Sequence, residues 1–145
     1  MRLAGLLCLL AGFFFGGVFC LAAQEFVISE FMAANGSVIK DTDGEEHDWI
    51  EIFNLTGQSA SLSGWYLTDD RQTPAKWRFP NVRVPAHGFL VVFASGKNRI
   101  DPTRELHANF SLSRNGEYLA LIKPDATTVA TEFAPTFPLQ VTDVY

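Results

Sequence analysis

From residue 24 on, apolar residues in this chain come in short runs punctuated by turn-forming residues. The runs are FVISEFM (26–32), DWIEIFN (48–54), LSGWYLT (62–68), KWRFP (76–80), FLVVFAS (89–95), LHANFSL (106–112), EYLALIK (117–123) and TTVATEF (127–133), and the punctuation includes NGS, DGEE, TGQS, PAHG, SGKN and RNG. No run is long enough, or periodic enough at 3.6 residues, to make an amphipathic helix. Short strands with close turn signals predict an all-β fold, a sandwich or barrel. Residues 24–133 have the size of a sandwich of about seven to eight strands.

Alternation assigns side chains to faces, because successive side chains in a strand point to opposite sides. In KWRFP, Trp77 and Phe79 point to the core and Lys76 and Arg78 to solvent, with Pro80 ending the strand. Trp65 is a second core tryptophan. FLVVFAS is apolar on both faces and predicts a central strand covered on both sides. Asn115-Gly116 suits the two positive φ angles of a type I′ hairpin turn. In DWIEIFN, Ile50 and Ile52 share one face, and Trp49, Glu51 and Phe53 share the other. That second face is the candidate binding surface, with Trp49 partly exposed and able to stack on a sugar ring or anchor a partner. Glu51 is expected to pair with a cation of a neighbouring strand, Arg78 or Lys76. Glu30, in ISEF, is expected to be an ordinary strand-surface acid of the same kind.

The first 23 residues stand apart. Arg2 precedes an apolar stretch from Leu3 to Phe19, and Cys20, Leu21, Ala22 and Ala23 follow. This is the layout of a signal peptide cleaved after Ala22 or Ala23, with an uncleaved membrane anchor as the alternative. It implies a protein that is secreted, or held in the cell envelope. Both cysteines, Cys8 and Cys20, lie inside the leader, so the remainder forms no disulfide and depends on its hydrophobic core. The formal net charge is −5. The leader holds one cation and no acid, so its removal makes the chain more acidic, which disfavours nucleic acid as a partner. At the other end, FAPTFPLQVTDVY (133–145) carries Pro135 and Pro138. Residues 134–145 read as a linker or the start of a further region.

The ordered set ISEFMAAN, DTDGEEHDWIEIFN, LSGWYLTDD, KWRFP, VPAHGFLVVFASGKN and LHANFSLSRNGEYLAL, spanning about 26–133, resembles the bacterial lamin-tail domain. The resemblance implies an immunoglobulin-like β-sandwich. It also implies an accessory module that binds, anchors or spaces, found in secreted or surface proteins beside nucleases, phosphatases, other hydrolases or a spore-coat-type kinase domain. Such a family brings no established catalytic residues. The implied partner is a protein or a polymer of the envelope or extracellular space. One alternative is that the chain is the N-terminal part of a larger secreted enzyme with its catalytic domain beyond Tyr145. Another is a calcium-dependent adhesion or carbohydrate-binding module.

The residues themselves do not assemble an enzyme. G-x-S-x-G, H-E-x-x-H and a phosphate-binding glycine loop are absent from the sequence. His47, His87 and His107 lack local ligand spacing. Glu30 or Asp48 with Glu51 could be imagined as the paired acids of a glycosidase, but a small sandwich offers little material for the cleft. No cofactor is expected, except calcium held weakly by KDTDGEEHDW. There Asp41, Asp43, Glu45 and Asp48 are the candidate ligands, although EF-hand spacing fails.

Overall fold

The computed structural model describes residues 25–144. The segment expected to be a signal peptide, 1–23, lies outside the described residues.

The described residues form ten strands: β1 (Phe26–Met32), β2 (Asp48–Asn54), β3 (Ala60–Ser61), β4 (Tyr66–Thr68), β5 (Trp77–Arg78), β6 (Arg83–Val84), β7 (Phe89–Ala94), β8 (Leu106–His107), β9 (Leu119–Ile122) and β10 (Val129–Phe133). Eight of them make two four-stranded sheets, ordered β1-β2-β7-β8 and β10-β9-β4-β5, and β3 pairs with β6 as a short ribbon. The described residues contain no helix. The two sheets face each other as an immunoglobulin-like sandwich, so the expected fold class holds. β7 and β8 run parallel, and every other strand pair is antiparallel.

The core follows the alternation read from the sequence. Ile28, Ile50, Ile52, Val92 and Leu106 project inward from the first sheet, and Leu67, Trp77, Leu119 and Leu121 from the second. Phe26 meets Trp65 edge to face at 5.2 Å, and Trp77 meets Phe79 at 4.9 Å. Burying a side chain of this size stabilises a fold by about 1.5–3 kcal/mol each. Trp65, Trp77 and Phe79 are buried and Arg78 is exposed, as expected. Lys76 is half-buried and pairs with Asp69 at 2.5 Å.

Several expectations change. Asn115 does not adopt positive φ. The amide of Gly116 instead donates to the Ser113 carbonyl at 3.0 Å, closing a turn between strands of different sheets. The hairpin that does form is β9–β10. Its turn is held by Lys123 and Thr128, by Ala126 at φ 60, and by Asp125, which accepts from the Thr127 and Thr128 amides. Residues 134–144 do not lead away as a linker. Phe137 is 2 % exposed within the core, its amide donates to the Glu117 carbonyl, and the Gln140 amide donates to Arg114. Pro135 and Pro138 flank this buried phenylalanine. β7 is central, but only its second half is covered on both faces, because Phe89 at its start is 57 % exposed.

Candidate functional site

The outward face of the first sheet carries the residues singled out in DWIEIFN, and strand register sets them in transverse rows. The first row is Met32, Trp49, Phe93 and His107, one from each strand. All four are buried. The segment 33–47 folds over this row, with Ile39 packed on it. Asn35 holds the segment down. Its side-chain amide donates to the Ile39 and His47 carbonyls at 2.7 and 2.8 Å, and its backbone amide donates to Asp48 Oδ1 at 3.2 Å. From the tail, the Asp143 carboxylate accepts from the Gly36 and Ser37 amides and the Ser37 hydroxyl. Trp49, expected to be partly exposed, is therefore covered at 6 % exposure. Alternation places it on the outer face, but it cannot show that a distant loop roofs that part of the face.

The covering segment ends in the acidic loop. Asp41 Oδ1 accepts from the Asp43 and Glu45 amides, and Gly44 takes φ 84 to close the turn. Asp41, Asp43 and Glu45 then converge on the Lys97 ammonium at 2.5, 2.9 and 2.7 Å. Arg99 adds a bond to Asp43 at 2.5 Å, and His47 lies 3.2 Å from Glu45. Burial pushes the Asp41 carboxyl up, but the Lys97 ammonium and the Glu45 amide outweigh it, and it stays below the ordinary aspartate range. Hydrogen bonds from Lys97 and Arg99 hold Asp43 down at about 2. The Lys97 ammonium is in turn held well above the usual lysine range by its bonds to Asp41 and Glu45. Of the four candidate calcium ligands, three are thus together and hold an ammonium. Asp48 is not with them: it faces Asn35, and burial raises its carboxyl. Asp41, Glu45 and His47 do bring ligand atoms within 4.8 Å of one another.

Two of the three histidines also converge here, which sequence spacing did not reveal. His107 is fully buried, stacks on Phe93 at 5.1 Å, and has Nε2 3.9 Å from Asp41. Its Nδ1 lies 2.8 Å from Ser95 Oγ, and its Nε2 lies 3.3 Å from Arg99. The guanidinium can only donate, so Nε2 accepts and the ring proton sits on Nδ1, where it donates to Ser95. A serine that accepts from histidine is not activated as a nucleophile, so the proximity of Ser95, His107 and Asp41 is structural. SGKN marks a turn that carries a cation, but nothing local in the sequence brings it to the acidic loop.

The second row is Glu30, Glu51 and Val91. A β-bulge between Ile28 and Glu30 inserts one residue into β1, so Ser29 and Glu30 both lie beside Glu51. Ser29 Oγ donates to Glu51 Oε1 at 2.7 Å. Neither Arg78 nor Lys76 reaches Glu51, because β5 belongs to the other sheet. Among the described residues no ion pair satisfies Glu30 or Glu51, and the bulge leaves two carboxylates opposed across β1 and β2. The third row pairs Phe53 with Phe89, rings 4.7 Å apart, and His87 follows at 6.5 Å from Phe53. The open part of the face is thus two carboxylates beside an aromatic pair, half-buried Phe53 and exposed Phe89.

Comparison with known proteins agrees with this architecture. The family model described as Lamin Tail Domain matches residues 22–134. No curated protein matches the chain.

Proposed function

Because the chain belongs to the lamin tail domain family, an immunoglobulin-like module, we propose that it is an exported, non-catalytic interaction domain that docks a partner protein on the open face of β1, β2 and β7. The partner segment presents lysine or arginine beside an apolar side chain. The observation that carries this is the cross-strand opposition of Glu30 and Glu51 next to Phe89, which is 57 % exposed. Like charges directly opposed on a sheet destabilise it, and no cation of the described residues neutralises them. A cation supplied in trans would relieve that repulsion, and the aromatic pair would give the contact apolar area. A site that departs from local stability rules without a counter-charge of its own is where function is expected. The leader-like segment 1–23 supports export, and N-terminal sequencing of protein from the extracellular fraction should begin at Ala23 or Gln24.

The test is an array of extended peptides carrying a basic residue at one position and an aromatic or aliphatic residue two positions on, probed with the purified domain. Binding to the basic–apolar peptides, lost in a Glu30→Lys, Glu51→Lys double variant and weakened in Phe89→Ser, is the expected result. Equal binding by the double variant overturns the reading. Binding to soluble glycans instead, with none to peptides, would replace a protein partner by a carbohydrate.

A further inference from the structure

The opposite side of the sandwich holds a second, chemically different feature. On the outward face of β10-β9-β4-β5, register places Thr68, Ala120 and Glu132 in one row and Tyr66, Ile122 and Val129 in the next. Ala120, between Thr68 and Glu132, adds no height to the face. The loop after β4 and the β9–β10 hairpin rise on either side. Between them lies a cavity of about 210 Å³ lined by Arg71, Pro74, Tyr118, Ile122, Val129 and Glu132, among others.

Its two charges are held apart. The Arg71 guanidinium lies over the Tyr118 ring, 5.8 Å from the centroid. The Tyr118 hydroxyl donates to Glu132 Oε2 at 3.0 Å and so fixes the carboxylate at the other end of the same ring. Burial, then the Glu132 carboxylate, raises the Tyr118 phenol, so it stays protonated and remains the donor. Among the described residues Arg71 forms no ion pair, with Glu132 or with any other acid, although both line one cavity. Pro74, Ile122 and Val129 form an apolar wall beside them.

A guanidinium and a carboxylate that line one cavity without pairing, beside an apolar wall, match a ligand that carries both complementary charges. The volume is below that of pockets for drug-sized ligands, which suits a molecule no larger than a single residue. We propose that this cavity binds a small aliphatic zwitterion of α-amino-acid size, its carboxylate on Arg71, its ammonium on Glu132, and its side chain against Pro74, Ile122 and Val129. The bidentate fork of arginine suits the carboxylate. This site is independent of the Glu30–Glu51 face, and either can fail without the other.

Titration of the ¹⁵N-labelled domain with L-leucine, followed by amide and Arg71 Nε–H shifts, tests it. Saturable shifts should cluster at residues 71, 118–122 and 127–132. N-acetyl-L-leucine removes the ammonium and L-leucinamide the carboxylate, and each should bind at least about tenfold more weakly, the loss of one charge-assisted contact. Glu132→Gln and Arg71→Gln, both at exposed positions, should each abolish the discrimination against the ligand lacking the matching charge. Two results overturn the proposal. One is an absence of shifts up to about 50 mM, well past the affinity so small a ligand can lack and still be called bound. The other is equal shifts with all three compounds, which would mean apolar contact alone.

Discussion

The two ends of the outward face of β1-β2-β7-β8 use carboxylates in opposite ways. At the end covered by 33–47, Asp41, Asp43 and Glu45 surround Lys97, Arg99 pairs with Asp43, and the covering segment lies over Trp49 and Phe93, on which His107 stacks. At the open end, Glu30 and Glu51 face each other, with Ser29 donating a side-chain hydrogen bond to Glu51, beside an aromatic pair that solvent reaches. Acid content therefore says little by itself; what counts is whether the fold also delivers the cation. The closed end uses its charges to hold a loop over apolar side chains. The open end leaves its two carboxylates without a cation among the described residues and Phe89 in solvent, which supports the docking surface proposed above.

The comparison is broken most directly by truncating one aromatic at each end. Trp49→Ala should destabilise by about 3–5 kcal/mol, from lost burial and the cavity left under 33–47. Phe89→Ala should cost under about 1 kcal/mol, since most of its ring is already in water. Urea melts that give the two variants similar losses would mean that the covered and open ends do not differ. The inner face permits the same contrast, with Trp77→Ala costing as much as Trp49→Ala.

The next contrast concerns the acids. Asp41→Ala strands the Asp43 and Glu45 amides and removes one partner of Lys97. A loss of about 1–3 kcal/mol is expected from the unsatisfied backbone groups. Glu30→Gln should be neutral or slightly stabilising, by under about 1 kcal/mol, because it removes a like-charge opposition. If Glu30→Gln destabilises as much as Asp41→Ala, the open carboxylates are structural.

How much of this was legible follows from what each inference needed. Ile50 with Ile52, and Trp77 with Phe79, could be placed because alternation within a strand is a local property. The partner of Glu51 could not, since alternation gives a face but not which sheet a strand joins, and β5 joined the other one. Lys97 and His107 reach Asp41 only because β7 and β8 pair in parallel and return the intervening loop to the acidic turn, a long-range event. The bulge at Ser29 that moves Glu30 beside Glu51 has no signature in ISEF. The burial of Phe137 has no such signature either: Pro135 and Pro138 carry a strong local meaning, and the core position of Phe137 carries none.

A pH titration sharpens the comparison further. Burial, then the Arg99 and Lys97 charges, lowers the His107 value. The unfolded chain therefore takes up a proton more readily than the folded one. The associated stability is fully present above the unfolded value, about 6.5, and is lost as pH falls below it. Asp43, held at about 2, adds a second loss that begins below its unfolded value of 3.8. Melting temperatures should thus fall below about pH 6.5 in the wild type. In His107→Gln the first decline should flatten, while the second remains. An unchanged profile in that variant would show that His107 is not a neutral ring held between cations.

The smallest effect concerns calcium, and it asks whether the closed end is already neutralised. Lys97 stands among the three carboxylates that a divalent ion would need. Calcium takes six to eight oxygen ligands, and sites in extracellular modules commonly bind it at about 10⁻⁴–10⁻³ M. To enter here it must displace an ammonium that makes three short contacts, and it would meet Arg99 beside Asp43. Calcium at about 10 mM, tenfold or more above that range, should therefore move the wild-type melting temperature little. Lys97→Met leaves Asp41, Asp43 and Glu45 with like-charge repulsion and an open centre. There calcium should raise the melting temperature measurably, and magnesium should do less because it releases its water reluctantly. A clear calcium shift in the wild type, reduced in an Asp41→Asn, Asp43→Asn double variant, would mean instead that the loop is a cation site for which Lys97 stands in. The two ends of the face would then be alike in awaiting a partner.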